Sequence, residues 1–343
     1  MNIPSISEFN YSLPSKQIAS HPLNKRDSSK LMYLNITSSI LYDKKFLDVS
    51  NFLKKGDLII LNDTRVIPGR LFARKETGGV VEILFHKYIS KNSFRAIFSS
   101  SKPLKLNSKI FYEEEGFFII VAINDNYVDL AVPPNKEIIN ILKEFGVIPL
   151  PKYIKRPTSA EDKERYQTIY ASKDGSIAAP TAGLHFTKNI INKLINMGIQ
   201  IHFLTLHVTY NTFKPIIIDD YSRHKIGKEF FMVKKSLFDK IKKTKSKGNK
   251  VISVGTTVAR TLEYCYLQNI NKDFEGYVDL YITPGFKFNV IDSLLTNFHL
   301  PKSSLLLLVC AFAGKKKILN AYEHAVKNNY RFYSYGDCML IDK

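Results

Sequence analysis

An α/β layered domain carrying an inserted small β-barrel is the fold this sequence predicts, on three observations. The apolar run Leu58-Ile59-Ile60-Leu61 stops at the polar pair Asn62-Asp63, as a buried strand of an α/β sheet does where it meets a site. From Val66 to about Pro134 the pattern changes to short β-like runs separated by turn residues, with no helical period. After Pro149-Leu150-Pro151, strand-like and helical spacings alternate again. The chain is therefore expected to divide into a discontinuous α/β domain, residues 1–65 and 150–343, and a barrel domain at 66–149.

The elements follow in order. A polar N-terminal segment leads to Lys55-Gly56-Asp57, which turns into the first buried strand. Within the insertion, Val80 to Phe85 follows Thr77-Gly78-Gly79, and Phe94 to Phe98 follows Lys91-Asn92. Phe117 to Ile123 follows Glu115-Gly116, and Tyr127 to Val132 follows Asn124-Asp125-Asn126. Ser176 to Ala179 reads as a short buried strand that hands over, through Pro180-Thr181-Ala182-Gly183-Leu184-His185-Phe186-Thr187, to a helix. In that helix Ile190, Ile191, Leu194 and Ile195 recur at helical spacing until Gly198 ends it. Ile199 to Val208 alternates as a strand does, and Leu237 and Ile241 lie one helical turn apart before Lys247-Gly248. Val251 to Val254, Gly255-Thr256-Thr257 and Val258 to Leu267 repeat the layout of strand, small hydroxylated turn and helix. Ser303 or Ser304 caps an apolar helix, and Tyr335-Gly336-Asp337 opens onto a final strand.

Composition narrows the class. Hydrophobic residues at 45% and charged residues at 24% describe an ordinary soluble globular chain, and 343 residues suffice for a substantial core. Cys265, Cys310 and Cys338 lie far apart among apolar neighbours, so they read as inert core thiols in a reducing compartment. Met1 to Asn10 lacks the layout of a secretory signal, and the longest apolar run, Leu305 to Ala313, is too short to span a bilayer. A cytoplasmic monomer with no membrane partner is expected. The net charge of +19 invites a polyanion, although lysine-rich composition drift produces the same excess. Only ten of the 50 basic residues are arginine, and Arg65, Arg70 and Arg74 are grouped at the seam between the domains.

Small and hydroxylated residues around Thr181, Ala182 and Gly183 let a ligand approach the backbone, where the first N–H groups of a helix offer an anion site. A turn of this kind also serves geometry alone. Three histidines, His185, His207 and His299, stand at strand ends or helix starts. None has an i, i+4 partner or a nearby cysteine, so no metal site is expected. A Gly-x-Ser-x-Gly elbow, a Walker loop and a Gly-x-Gly-x-x-Gly turn are all absent from the sequence, which removes the minimum parts of hydrolase, NTPase and Rossmann dehydrogenase readings.

Six motifs in order carry a resemblance. They are Asn62-Asp63-Thr64-Arg65-Val66-Ile67-Pro68, Ala179 to Phe186, Thr205-Leu206-His207-Val208, Gly255-Thr256-Thr257, Thr296-Asn297-Phe298-His299-Leu300-Pro301 and Tyr335-Gly336-Asp337. Over nearly the whole chain the sequence resembles the S-adenosylmethionine:tRNA ribosyltransferase-isomerases of queuosine biosynthesis. The resemblance implies a transferase that moves the ribosyl part of S-adenosylmethionine, a co-substrate, onto the aminomethyl group of a deazaguanine at the tRNA wobble position. Adenine and methionine leave, and epoxyqueuosine tRNA is the product. It also implies an α/β domain with an inserted barrel.

Roles follow as expectations from that chemistry. Proton transfers fall to His185, His207 and His299, since imidazole titrates near neutrality. Backbone N–H groups around Thr181, Ala182 and Gly183 receive the methionine carboxylate, with Gly255, Thr256, Thr257 and Asn297 adding polar contacts. Arg65, Arg70 and Arg74, then Arg156 and Arg331, follow the tRNA phosphates, and Tyr166, Phe298 and Tyr335 offer stacking faces. Two departures from the family pattern stand out: Thr209-Tyr210-Asn211 where a Gly-x-Gly pattern is usual, and Gly227 where a second histidine is usual beside His224. They leave open a catalytically silent RNA-binding relative and an S-adenosylmethionine-dependent enzyme acting on a small amine.

Overall fold

The computed structural model describes residues 4–114, 116–210 and 216–343; Asn211 and the Thr212-Phe213 pair fall outside them. Strands β1 (Lys30–Asn35) and β2 (Leu41–Lys45) form an antiparallel pair, and β3 (Leu58–Asn62) is the apolar run that opens the sheet centre. Its alternate residues explain the unbroken hydrophobicity. Leu58 and Ile60 enter the core on one face, while Ile59 and Leu61 enter the core on the other.

A short β4 (Thr64–Val66) leads into β5 (Arg70–Lys75), β6 (Val80–Ser90), β7 (Ser93–Ser100), β8 (Lys109–Phe111), β9 (Phe117–Asn124) and β10 (Tyr127–Ala131). The last six close as a barrel in the order β10-β7-β6-β5-β8-β9. Helix α1 (Ile138–Phe145) buries Ile138, Ile141 and Leu142, at helical spacing, in the barrel core. The chain enters and leaves the barrel at one point: Arg70 and Val147 exchange backbone hydrogen bonds of 3.2 and 2.7 Å.

The return runs through α2 (Asp162–Arg165), β11 (Lys173–Ser176), α3 (Lys188–Asn196), β12 (Gln200–Leu206) and β13 (Glu229–Val233). Then come α4 (Lys235–Ser246), β14 (Val251–Val254), α5 (Thr256–Leu267), β15 (Phe274–Val278) and β16 (Ser293–Asn297). Helices α6 (Ser304–Ala313) and α7 (Lys315–Lys327) precede β17 (Cys338–Asp342). The nine-stranded sheet has the order β15-β13-β12-β3-β14-β16-β17-β1-β2.

Direction matters more than order here. Strands β12, β3, β14 and β16 are parallel, whereas β17 runs antiparallel to β16 and parallel to β1. The carboxyl ends of four strands and the entries to β17 and β1 thus share one edge. In open α/β sheets this is where ligands bind.

Two expectations need correcting. The strand placed at Ser176 to Ala179 lies earlier, as β11, which pairs with β4; Ile177, Ala178 and Ala179 are buried but form no strand. The helix read from Ile190 to Gly198 is present, but the N–H groups around Thr181, Ala182 and Gly183 are not its first ones. Thr181–His185 is a single 3-10 turn, and α3 begins only at Lys188, where the Thr187 side chain accepts from the Ile190 N–H. Thr187 is the hydroxylated residue free to cap because Leu184, His185 and Phe186 are held in the interior.

Candidate active site

At the shared edge lies a cleft open to solvent. Its walls come from four distant segments: Ala179 to Ala182, Gly255 to Thr257, Thr296 with Asn297 and His299, and Tyr333 with Ser334. Each segment leaves or enters a strand or turn at that edge, which is why residues spread over 150 positions converge. Gly255 takes φ +90°, a conformation that glycine adopts without strain, and turns β14 directly into α5. No side chain caps Gly255, so the N-terminus of α5 presents its first N–H groups to the cleft.

Two buried acceptors mark the same cleft as a place for polar ligands. Asn297 is 2% exposed, and its Oδ1 has no hydrogen-bond partner among the described residues; Thr257 Oγ1 is in the same state. Such groups carry a desolvation cost unless a ligand or water meets them. The amide nitrogen of Asn297 is engaged: it donates to the Tyr333 carbonyl at 3.1 Å and lies 3.4 Å from His185 Nε2.

The three histidines occupy different positions. His299 lines the cleft, with Nε2 2.9 Å from Thr296 Oγ1, and burial pushes its imidazole down to about 3. His185 stands behind the cleft, bonded through Nδ1 to Ser29 Oγ at 2.8 Å. Burial first, then the Arg26 and Arg331 guanidiniums, push it down to about 3 as well. His207 lies apart, in a cluster with Thr64 Oγ1 at 2.7 Å and the Phe230 ring stacked at 5.8 Å. Its ring fits because Gly175 has no side chain; a Cβ there would meet the imidazole at 2.7 Å. Burial lowers His207, opposed by Asp63 and Asp174. The Asn297 amide therefore connects His185 to the cleft, and His207 is not among the lining residues.

Several other expected residues take different roles. Thr181 and Ala182 line the cleft, whereas Gly183 donates its N–H to the Pro180 carbonyl at 2.8 Å, and a Cβ there would collide with the Tyr170 hydroxyl. Glycine is needed at 183 by internal packing. Tyr166 and Phe298 are completely buried, and Tyr335 is 5% exposed with its hydroxyl donating to Asp162 at 2.8 Å, so none offers a free ring face. Arg156 is closed in a two-pronged pair with Asp162 at 2.6 and 2.7 Å. Burial alone would raise the Asp162 carboxyl, yet Arg156, the Ser159 N–H and the Tyr335 hydroxyl hold it below its ordinary range. Arg70 pairs with Glu82 at 3.0 Å, and Arg65, 46% exposed, with Asp174 at 3.3 Å. Arg74 is exposed and lies two residues from Phe72, itself 57% exposed, on the outer face of β5.

Sequence reasoning missed Tyr333 and Ser334. Tyr333 adopts φ +73°, rare for a bulky residue, and packs its ring 3.9 Å, centroid to centroid, from Tyr153. The turn that holds it requires Gly336, where a Cβ would meet the backbone of Arg331 and Phe332 at 2.5–2.7 Å. Thr209 belongs to the altered segment, and its N–H donates to Glu229 Oε1 at 2.8 Å. Glu229 is itself paired with Arg260, so the segment is anchored despite lacking the usual glycines. Among the described residues, no group of three or more His, Cys, Asp or Glu could hold a metal ion, and no helix is long and apolar enough to cross a membrane.

Comparison with known proteins agrees with this arrangement. The family model described as "Queuosine biosynthesis protein" matches residues 6–341. An S-adenosylmethionine:tRNA ribosyltransferase-isomerase of Francisella tularensis subsp. novicida is 42% identical over 334 residues, covering 97% of this chain and 98% of that one. The Coxiella burnetii protein of the same name is 43% identical over 335 residues, with 98% of each chain covered. The crystal structure of an S-adenosylmethionine tRNA ribosyltransferase from Thermotoga maritima matches with a TM-score of 0.56 at 32% identity, over 98% of this chain and all of that one. Six ordered motifs meeting at one sheet edge, a barrel inserted after β4 and these full-length likenesses lead to one conclusion: the chain belongs to the queuosine biosynthesis family of S-adenosylmethionine:tRNA ribosyltransferase-isomerases.

Proposed function

We propose that the chain transfers and isomerises the ribosyl group of S-adenosylmethionine onto the aminomethyl-deazaguanine at the tRNA wobble position, releasing adenine and methionine and giving epoxyqueuosine tRNA. The observation that carries the reading is the cleft at the sheet edge, lined by Asn297 and Thr257, whose Oδ1 and Oγ1 lack partners among the described residues, and by the uncapped N-terminus of α5. A zwitterionic co-substrate fits this donor set. Its carboxylate is assigned to the N–H groups at Thr256 and Thr257, the Gly255 N–H being taken up by the Leu295 carbonyl at 2.7 Å, with the Thr181-Ala182 wall opposite, and its polar hydrogens to Asn297 and Thr257.

The sulfonium acidifies the adjoining ribose carbon and makes methionine a leaving group. Three proton movements are then needed: one off that carbon, one onto the departing adenine, and one off the attacking amine. His299 lines the cleft and is assigned as the base on that position; burial keeps it neutral but lowers it to about 3, so it does not titrate near neutrality as a free imidazole does and is the weaker base for it. His185 acts on the cleft through the Asn297 amide and is assigned as a positioning residue, as His207 is for the end of β12. The tRNA is assigned to the exposed row Arg74 and Phe72 on the barrel, continued by Arg65 at the seam.

The experiment is single-turnover adenine release from S-adenosylmethionine in the presence of precursor-bearing tRNA. A loss of about 10²–10⁴ in rate is expected for His299→Ala with co-substrate affinity retained, the range typical of a general base. Unchanged release in that variant removes the assignment. Absence of release in the unaltered chain removes the catalytic reading itself.

A further inference from the structure

Next to the cleft, sharing Ser334 with it and reaching His185, lies a second pocket to which no role has been given. Arg26, Arg165, Ser29, His185, Ser334 and Gly336 line it. Two of the chain's ten arginines thus face one small space, and Arg331 stands beside it, near enough for its charge to act on His185. Chance grouping of surface lysines does not account for this.

The guanidiniums are fixed by main-chain carbonyls and only sparsely neutralised. Arg26 donates to the Leu184 carbonyl at 3.3 Å and to the Glu164 carbonyl at 3.0 Å. Arg165 donates to the Leu23 carbonyl, and Arg331 to the His21 carbonyl. A guanidinium has five N–H groups, so each keeps donors beyond these bonds. One of them is already stranded: Arg331 Nη1 is buried with no partner among the described residues. The nearby carboxylates do not fill the pocket. Glu161, 59% exposed, pairs with Arg165 from the outside, and Glu164 acts on Arg26 from an exposed position. Asp337 turns its two oxygens to the backbone N–H groups of Lys30 and Arg331, and Asp162 is closed with Arg156.

Arginines held rigid by carbonyls, close together and with spare donors, are the components of an oxyanion site. We propose that this pocket binds an oxyanion, whether a phosphodiester, a carboxylate or a free anion, set between Arg26 and Arg165 beside Ser29 and His185. Like charge adds to burial here: burial and then Arg165 lower Arg26, opposed by Glu164, and Arg26 and Arg331 add to the effect of burial on His185. An anion in the pocket relieves both. Since Asn297 joins His185 to the cleft, an occupied pocket is felt at the wall of the active site.

The test needs no turnover, so its failure is distinct from a failure of the ribosyl-transfer reading. Thermal stabilisation of the full chain by sulfate, against chloride at equal ionic strength, is compared for the unaltered chain, Arg26→Gln, Arg165→Gln and the distant control Lys242→Gln. Binding of unmodified tRNA and of S-adenosylmethionine is measured on the same set. Arg26→Lys and Arg165→Lys serve if a glutamine variant does not fold, because they keep the charge and lose the planar fork. The sulfate effect is expected to fall by about half or more in the arginine variants and not in the control, as loss of charge-assisted bonds requires. A phosphodiester occupant is indicated if tRNA affinity falls about tenfold and its salt slope shrinks by about one. A fall in co-substrate affinity instead moves the methionine carboxylate from the α5 N-terminus to this pocket, and loss of the sulfate effect alone assigns a free oxyanion. Sulfate stabilisation, tRNA affinity and co-substrate affinity all unchanged in the arginine variants would overturn the proposal.

Discussion

His185 shows how one residue can couple the site to stability. Buried at 4% exposure, it is pushed from an ordinary 6.5 to about 3, chiefly by desolvation and further by Arg26 and Arg331. The unfolded chain therefore binds a proton between those values that the folded chain refuses. The contribution is complete above pH 6.5 and is lost as pH falls toward 3. The expected outcome is a fall in unfolding free energy, steeper in the unaltered chain than in His185→Gln by up to about 1.4 kcal/mol per pH unit. Urea denaturation from about pH 6.5 down to about pH 5 measures it, a window above the range where Asp162 titrates in either state. Equal slopes would show that His185 is not excluded from protonation. At this scale the sequence exposed only some of the site. Asn297, Thr256 and Thr257 were legible because small polar residues directly follow apolar runs. Tyr333 was not, because nothing local marks a tyrosine for positive φ. Arg26 and Ser29 were hidden in a segment that reads as merely polar, although it leads into β1.

Helix α5 does more than present its N-terminus. Glu263, completely buried on its inner face, accepts the N–H groups of Asn289 at 2.9 Å, Val290 at 2.9 Å and Ile291 at 3.1 Å. It thereby fixes the segment that feeds β16, whose end carries Asn297. Glu263→Ala leaves the buried donors of Val290 and Ile291 unsatisfied and releases the part-buried one of Asn289, at an expected cost of about 2 kcal/mol or more, with Glu263→Gln costing less because one acceptor oxygen remains. Urea midpoints check the order, and a silent Ala variant would mean that the segment is held otherwise. Elements were legible where one physical signal dominated. Strands β3 and β14 announced themselves as continuous apolar runs, and four barrel strands did so through the turns before them. Strand β5 was missed because Arg70-Leu71-Phe72-Ala73-Arg74-Lys75 buries only Leu71 and Ala73, and its charged outer face resembles a loop. Helix α3 was legible from the spacing of Ile190, Ile191, Leu194 and Ile195, whereas the anion site expected at its start was not there, because burial of Leu184 and Phe186 separates the Thr181 turn from the first helical N–H groups at Lys188.

Across the whole molecule, the division into an α/β body and a barrel carries a functional expectation. The barrel has its own core, to which the α/β body contributes Ile177, and no residue between 66 and 149 lines the cleft or the pocket reaching His185. Chain entry and exit meet at the Arg70–Val147 bridge. A short Gly-Ser linker can therefore replace residues 70–147 without stretching the sheet that carries the site. The proposed division of labour predicts that this shortened chain folds and binds S-adenosylmethionine with affinity within about threefold of the full chain, well under the cost of one lost charged hydrogen bond. It is also expected to lose most of its tRNA affinity, because Arg74, Phe72 and the barrel lysines depart together. Their loss removes several phosphate contacts, each contributing about 0.9 to the salt slope on a duplex and about 0.7 on a single strand. Calorimetry with the co-substrate and filter binding with tRNA at two salt concentrations separate the outcomes. If the shortened chain folds but no longer binds the co-substrate, the barrel shapes the cleft from a distance and the two units are one catalytic body. If it still holds tRNA with an unchanged salt slope, the RNA lies on the α/β body, and the arginines around His185 become the place to look for its phosphates.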